Sequence, residues 1–431
     1  MTAPAPNSML APFRVRSFRF QWPSDLLTSC AFEMEVLILG WYVLVETDSV
    51  KLLSLFGALL YVGTLLSPSF GVVADRIGHR NLLCAMRAFY MAMAATLMTT
   101  ALAGALSPLA VFCIVALMGL VRSSDLGVRW ALAAHIVPPA LLTGAMGISR
   151  TTLDAARIMG ALTGASLFAG LGIGGAYLVV TCLYLAALLL GLAAGRPTGA
   201  HTPAAPPAAE ASGPQPHPAG SSHWGDLKEG LALVWSTPVL MAAILLALLV
   251  NLLAYPFSIQ FLPYVARELY AVDAKGLGLL VASFGLGALF GSLASARHTT
   301  APARTMMLSG LAWFACLLVF AQMRSFWSGA SVLALTGFAQ SICMVTVAVV
   351  LLDIAGGRFR GRIMGVRMLA IYGLPLGVLA GGALIDAIGF GVTGTLYALT
   401  GIALTLFMIW HWREPLRRAD LPARLGADRR P

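Results

Sequence analysis

Charge is scarce in this 431-residue chain: Asp, Glu, Lys and Arg together make 11% of it. A water-filling surface cannot be built from so few ionisable groups, so an ordinary soluble fold is excluded. Lysine is rarer still, with Lys51, Lys228 and Lys275 alone, and none precedes Ser or Thr. The phosphate-cradling loop Gly-x-x-x-x-Gly-Lys-Ser/Thr is therefore absent, and with it any ATP drive from this chain. The seven His (His79, His135, His201, His217, His223, His298 and His411) are scattered over loops and span ends without metal-ligand spacing. No Ser/His/Asp arrangement suggests hydrolysis, so neither an enzyme nor a cofactor is expected. Gly170-x-Gly172-x-x-Gly175 matches a dinucleotide pattern by letters only, since it follows no strand. The six Cys all lie inside apolar runs, where they serve as small packing residues without a disulfide framework.

What is present is hydrocarbon. Hydrophobic residues make 59% of the chain, the mean hydropathy is +0.84, and apolar runs recur from end to end. The expected class is an all-α membrane protein with twelve spans near 24–46, 50–73, 82–105, 108–132, 141–169, 174–195, 238–264, 276–296, 304–323, 327–353, 363–386 and 391–411. Each approaches the ~20 residues that cross hydrocarbon, and an even number puts both termini on one side. Of 28 Lys and Arg, all but Lys51, Arg267, Lys275 and Arg324 fall on the inner side of this layout. The formal charge of +10 thus reports orientation, not a nucleic-acid partner. The lipid bilayer is the expected partner. No cleavable signal is apparent around Arg14, Arg16 and Arg19, so a cytoplasmic amino terminus is expected.

Residues 196–224, dense in Pro, Ala, Gly and Ser, read as a cytoplasmic linker. A short amphipathic helix is expected over 226–235. The resulting organisation is a cytoplasmic segment 1–23, a six-helix half 24–195, a linker with its helix 196–237, a second half 238–412 and a tail 413–431.

One charged island interrupts the apolar runs: Gly71-Val72-Val73-Ala74-Asp75-Arg76-Ile77-Gly78-His79-Arg80. Gly71 and Gly78 permit a tight turn, and Asp75, Arg76 and Arg80 sit at the water boundary. The halves also echo each other. Met146-Gly147-Ile148 and Gly160-Ala161-Leu162-Thr163-Gly164-Ala165 recur about 217 residues later as Met364-Gly365-Val366 and Gly377-Val378-Leu379-Ala380-Gly381-Gly382. Gly71 to Asp75 recurs as Gly291-Ser292-Leu293-Ala294-Ser295, with Ser295 in place of the Asp.

The island resembles the Gly-x-x-x-Asp-Arg-x-Gly-x-Arg loop of the major facilitator superfamily of secondary transporters, with His79 where a basic residue is more usual. Duplicated six-helix halves are that superfamily's arrangement. Phe18-Arg19-Phe20-Gln21-Trp22, Gly40-Trp41-Tyr42-Val43-Leu44 and Ala156-Arg157-Ile158-Met159-Gly160 resemble the enterobactin-exporter-like (transmembrane secretion effector) group of bacterial permeases. The resemblance implies the twelve-helix fold, alternating access, a small-molecule substrate, a proton or other coupling ion, a monomer and the bacterial inner membrane. It also implies that the island latches an inner gate, with Arg80 toward Asp125 and Asp75 toward Arg362. Export of a drug-like or siderophore-like molecule is the leading expectation. Uptake of a siderophore or metabolite, or a non-transporting receptor on the same fold, are the alternatives.

Ionisable groups within spans are functional candidates because burying them is costly. Glu33 and Glu35 lie near the middle of the first span. Glu35 shares a face with Thr28, Tyr42 and Glu46, a polar stripe suited to a cavity, whereas Glu33 shares one suited to close packing. Glu35 is the first choice as proton site and Glu33 the second, against a paired structural carboxylate. Across the fourth and fifth spans, a hairpin turning at Pro138-Pro139 would set Arg122 level with Asp154 and Asp125 level with Arg150. That favours an ion-pair ladder, with Arg122 or Arg157 left to meet an anionic substrate as the sharper alternative. Asn251, Tyr255, Gln260 and Gln340 are candidate substrate contacts, or bonds between helices.

Overall fold

The computed structural model describes residues 11–66, 70, 73–74, 76–194, 223–298 and 302–420. Among the described residues thirteen α-helices of seven residues or more carry the fold: α1 Arg16–Thr47, α2 Val50–Leu59, α3 His79–Leu102, α4 Pro108–Ile136, α5 Pro139–Ala193, α6 His223–Ser236, α7 Pro238–Leu249, α8 Ala274–His298, α9 Pro302–Phe320, α10 Phe326–Leu369, α11 Gly373–Ile388, α12 Phe390–His411 and α13 Arg413–Ala419. No strand occurs among the described residues.

Among the described residues ten stretches are long and apolar enough to cross a membrane. One of them, Gly144–Ala193, has 50 residues and bends where Gly172 takes φ 68°, ψ −177°. It holds two crossings. Val50–Thr64 is the described part of one more. The protein is thus an all-α membrane protein with twelve transmembrane helices in two six-helix pseudo-repeat halves. The fifth and sixth spans therefore share one helix interrupted at a glycine, and the tenth and eleventh nearly do, since only a 3₁₀ turn at Ala370–Tyr372 separates α10 from α11.

Local chemistry sets the ends. Ser107 accepts from the Ala110 amide ahead of Pro108, and Ser49 accepts from the Leu52 amide. Gly78 at φ 85° and Gly389 at φ 83° turn the chain into α3 and α12. The start of α9 is capped from far along the chain: Asp420, just past α13, accepts from the amides of Ala303 at 2.9 Å and Arg304 at 3.0 Å. The seventh span follows α7 with successive π turns at Val250–Ala254, Pro256–Gln260 and Val265–Leu269. Pro256 and Pro263 explain this winding, because each removes an amide from the regular ladder. The Phe261 amide accordingly reaches back to the Pro256 carbonyl at 3.0 Å.

By internal contacts the chain forms two compact units, Met1–Ala204 with Leu262–Gly285, and Ala205–Phe261 with Leu286–Pro431. The stretch 262–285, expected with the second half, groups with the first unit. Small residues decide the closest helix crossings in each. In the first unit a Cβ on Gly160 would stand 2.8 Å from the Cys30 carbonyl oxygen, and one on Gly164 2.9 Å from the Met34 Cα. The neighbouring Ala161 and Ala165 serve α8, where a Cβ on Gly278 would meet the Ala161 oxygen at 2.9 Å. In the second unit a Cβ on Gly373 would stand 3.1 Å from the Leu248 oxygen, and Gly377 leaves no room for one beside the Leu252 oxygen. The repeated glycine elements thus do the same work twice, seating α5 on α1 and α11 on the seventh span.

Gly160→Val should lower stability by about 1–3 kcal/mol through overpacking, whereas Leu162→Val, on the exposed face, should leave the midpoint nearly unchanged; thermal unfolding in detergent compares the two.

Candidate functional site

The first span brings its charges into a cluster shared by α1, α3, α4 and α5. Glu35 is 3% exposed and meets two tyrosines from the second limb of α5. Tyr184 donates to its Oε2 at 3.0 Å and Tyr177 to its Oε1 at 3.4 Å. The Tyr184 ring lies 5.8 Å from that of Tyr90 on α3. No cation stands within ion-pair distance of Glu35 among the described residues. Glu33 is less enclosed, with its Oε1 3.8 Å from the Arg157 Nε, and Arg122 rests on the Phe32 ring.

The polar-stripe expectation is therefore reversed in detail. Glu35 is shut between helices and Glu33 is the partly exposed one, because the face of α1 bearing Glu35 turns toward the tyrosines of α5. The expected ladder across the Pro138-Pro139 turn does not form either. Asp125 pairs with Arg129 one turn along α4 at 2.5 Å, and Asp154 with Arg150 one turn along α5 at 3.6 Å. Equal distance from the turn would pair these groups only if their side chains faced each other across α4 and α5; instead Arg129 of α4 reaches Asp25 and Arg157 of α5 reaches Glu33, both on α1.

Deeper toward the start of α1 lies a second cluster that the sequence reading missed. Asp25 Oδ1 accepts from Gln21 at 2.8 Å and from Arg87 Nη2 at 2.5 Å, with the Arg129 Nε at 3.7 Å. Arg129 also donates to Ser29 at 2.9 Å and to the Asp25 carbonyl at 3.2 Å. Arg87 is 0% exposed, and Gly191 makes space for it, since a Cβ there would stand 2.6 Å from its Nη1. Its Nε and Nη1 have no partner among the described residues. An arginine five residues inside the predicted third span was the available signal.

Of the loop island, Gly71 and Asp75 lie outside the described residues. Gly78 starts α3, and Arg76 is exposed. Arg80 donates to the Leu192 carbonyl at 2.5 Å rather than to Asp125, and the side chain of Arg362 is likewise outside the description. His79 stacks on His135 at the end of α4, with ring centroids 4.7 Å apart.

In the second unit Gln340 Nε2 donates to the Tyr255 hydroxyl at 2.7 Å, and its Oε1 is buried without a partner. Tyr255 meets the Trp313 ring edge-on at 5.0 Å, and Trp313 Nε1 donates to Ser258 at 3.0 Å. Asn251 bonds the Ala247 carbonyl of its own helix at 2.8 Å, and Gln260 is buried. Tyr255 and Gln340 are thus together, while Asn251 serves the backbone.

A family model for the transmembrane secretion effector matches residues 7–427. The chain belongs to the transmembrane secretion effector family. Solved structures similar to this secretion effector family member are transporters of the major facilitator type. The nucleoside transporter NupG superposes with a TM-score of 0.69 at 14% identity, covering 92% of this chain and 99% of that one. A bacterial homolog of the human lysosomal transporter Spinster, inward-facing and unoccupied, gives 0.67 at 12% identity over 95% and 97%. The POT family transporter PepTSo gives 0.67 at 13% over 94% and 99%. No curated protein matches the sequence. The chain is therefore a multi-pass membrane protein of the secretion effector family, with the fold that these transporters share.

Removing one member of the buried Arg87–Asp25 pair strands its partner, so Arg87→Ala should lose about 3–5 kcal/mol. The double variant Arg87→Met with Asp25→Asn should lose less than either single change, read from unfolding midpoints in one detergent.

Proposed function

We propose that the chain exports a small organic molecule, drug-like or siderophore-like, in exchange for protons, with Glu35 as the coupling group. One observation carries this reading: a carboxylate at mid-span, 3% exposed, hydrogen-bonded to two tyrosines and lacking an ion-pair partner among the described residues. An ionised carboxylate in that setting is costly, and binding a proton removes the cost. Tyr184 and Tyr177 supply donors when Glu35 is charged and oxygen acceptors when it is protonated, so both forms are accommodated. Glu33, held by Arg157, keeps its charge matched and is the second choice.

The family description supports export over uptake. The loop island, with Gly71, Asp75, Arg76, Gly78 and Arg80, is read as the inner latch of an alternating-access cycle. Arg122 is the proposed cationic group for an acidic cargo, with Arg157, which pairs with Glu33, as the alternative, and Tyr255, Gln340, Asn251 and Gln260 are the proposed cargo contacts of the second half. A bacterial inner membrane and a monomeric state are carried over from the family resemblance, and the cytoplasmic placement of both termini rests on the basic bias of the inner loops and tail.

Purified protein in liposomes, tested with a panel of siderophores and amphiphilic drugs, should give a cargo-linked proton signal. Glu35→Gln should abolish that signal, at least tenfold, by fixing the neutral form; Glu33→Gln should retain most of it. Tyr184→Phe should shift its pH dependence by about one unit, as expected for loss of a hydrogen bond to a carboxylate. An unaltered signal in Glu35→Gln would assign coupling elsewhere.

A further inference from the structure

Among the described residues only two that are not glycine hold a positive φ: Asp48 at 49° and Ala271 at 50°. Side chains disfavour that conformation. The two residues end two different helical segments, and a single side chain joins those ends. Arg267 Nη1 donates to the Leu44 carbonyl at 2.8 Å and stands 2.9 Å from Asp48 Oδ1. Its Nε lies 3.4 Å from Glu268 Oε1.

The Leu44 carbonyl already accepts from the Asp48 amide at 3.0 Å. The guanidinium therefore completes the last turn of α1 and adds positive charge to its negative end. On the other side, Arg267 belongs to the π turn Val265–Leu269. That turn is closed by the Tyr270 amide on the Val265 carbonyl at 3.0 Å and the Val272 amide on the Ala266 carbonyl at 2.9 Å. Ala271 occupies the position of such a closure where glycine is usual. Strained residues of this kind persist only where their surroundings hold them, and they gather at switching segments. The joint is also accessible, with the Asp48 side chain 79% and the Arg267 side chain 30% exposed. An exposed ion pair is weak. A weak pair bridging two strained helix ends is suited to being made and broken.

We propose that Arg267 is a releasable latch, at the helix ends opposite the Asp-Arg loop, between the end of α1 and the turn 265–272. When made, it fixes the end of the helix that carries Glu35. When broken, Asp48 and Ala271 relax and both ends loosen. The latch stands on geometry alone; its consequence, control of proton access to Glu35, rests on the coupling reading above.

Hydrogen–deuterium exchange on the full-length protein in detergent tests the latch. In Arg267→Ala, amides of 40–48 and 265–272 should exchange about tenfold faster, with Arg267→Lys between it and wild type and peptides 79–87 and 302–310 unchanged. Wild-type exchange at both ends, or an equal rise throughout, overturns the proposal. Proton leak into cargo-free liposomes tests the consequence: Arg267→Ala should leak severalfold more than wild type, and Arg267→Ala with Glu35→Gln should not. A local rise in exchange without that leak upholds the latch and overturns its link to Glu35.

Discussion

Helix α1 brings three carboxylates, Asp25, Glu33 and Glu35, into the first unit, and each must be met by another helix because no water compensates a charge in hydrocarbon. That requirement organises the unit. Asp25 draws Arg87 from α3 and Arg129 from α4, Glu33 draws Arg157 from the first limb of α5, and Glu35 draws two tyrosines from the second limb. Such contacts need α1 and α5 to approach closely, and the small residues at 160 and 164 permit it. Charge pairing and backbone proximity are thus one condition: a bulkier residue at 160 would push against Cys30 and Glu33 themselves.

The second unit repeats the packing without the charge. Gly373 and Gly377 of α11 press on Leu248 and Leu252 as Gly160 and Gly164 press on Cys30 and Met34. In place of carboxylates the seventh span offers a proline-broken, π-wound backbone lined by Tyr255, Ser258 and Trp313. One half carries the ionisable chemistry, and the other carries neutral hydrogen-bonding groups on a π-wound backbone. The two copies have kept their crossings and divided their chemistry.

Much of the fold was legible because length and hydropathy are read locally. The twelve spans, the glycine repeats and the helix after the linker all follow from residues close together in the chain. The bend at Gly172 hides the fifth and sixth spans in one helix, since a glycine permits a break without the polar residues that usually mark a loop. The candidate site was legible in its residue types but not in its pairings. Glu35 was singled out by its depth and by the polar stripe it shares with Thr28, Tyr42 and Glu46, yet which way it faces depends on where α5 returns after its bend, and only then do Tyr177 and Tyr184 come within reach. The Arg122–Asp154 and Asp125–Arg150 pairs failed because register along a hairpin says nothing of a third helix lying against both arms. Arg87 and Asp25 escaped notice because they are separated by 62 positions and belong to no motif. The grouping of 262–285 with the first unit is likewise a tertiary fact without a local sign.

The cap on α9 sets a practical limit on how the protein is handled. Asp420 serves the first amides of a helix whose second residue, Ala303, lies 117 positions earlier, from just beyond the short helix α13. The end of the described chain is therefore a fastening for an interior span rather than a trailing handle. A purification tag or reporter joined after Asp420 leaves that fastening in place, whereas a truncation made anywhere in α13 removes it and opens the first turn of α9 to water.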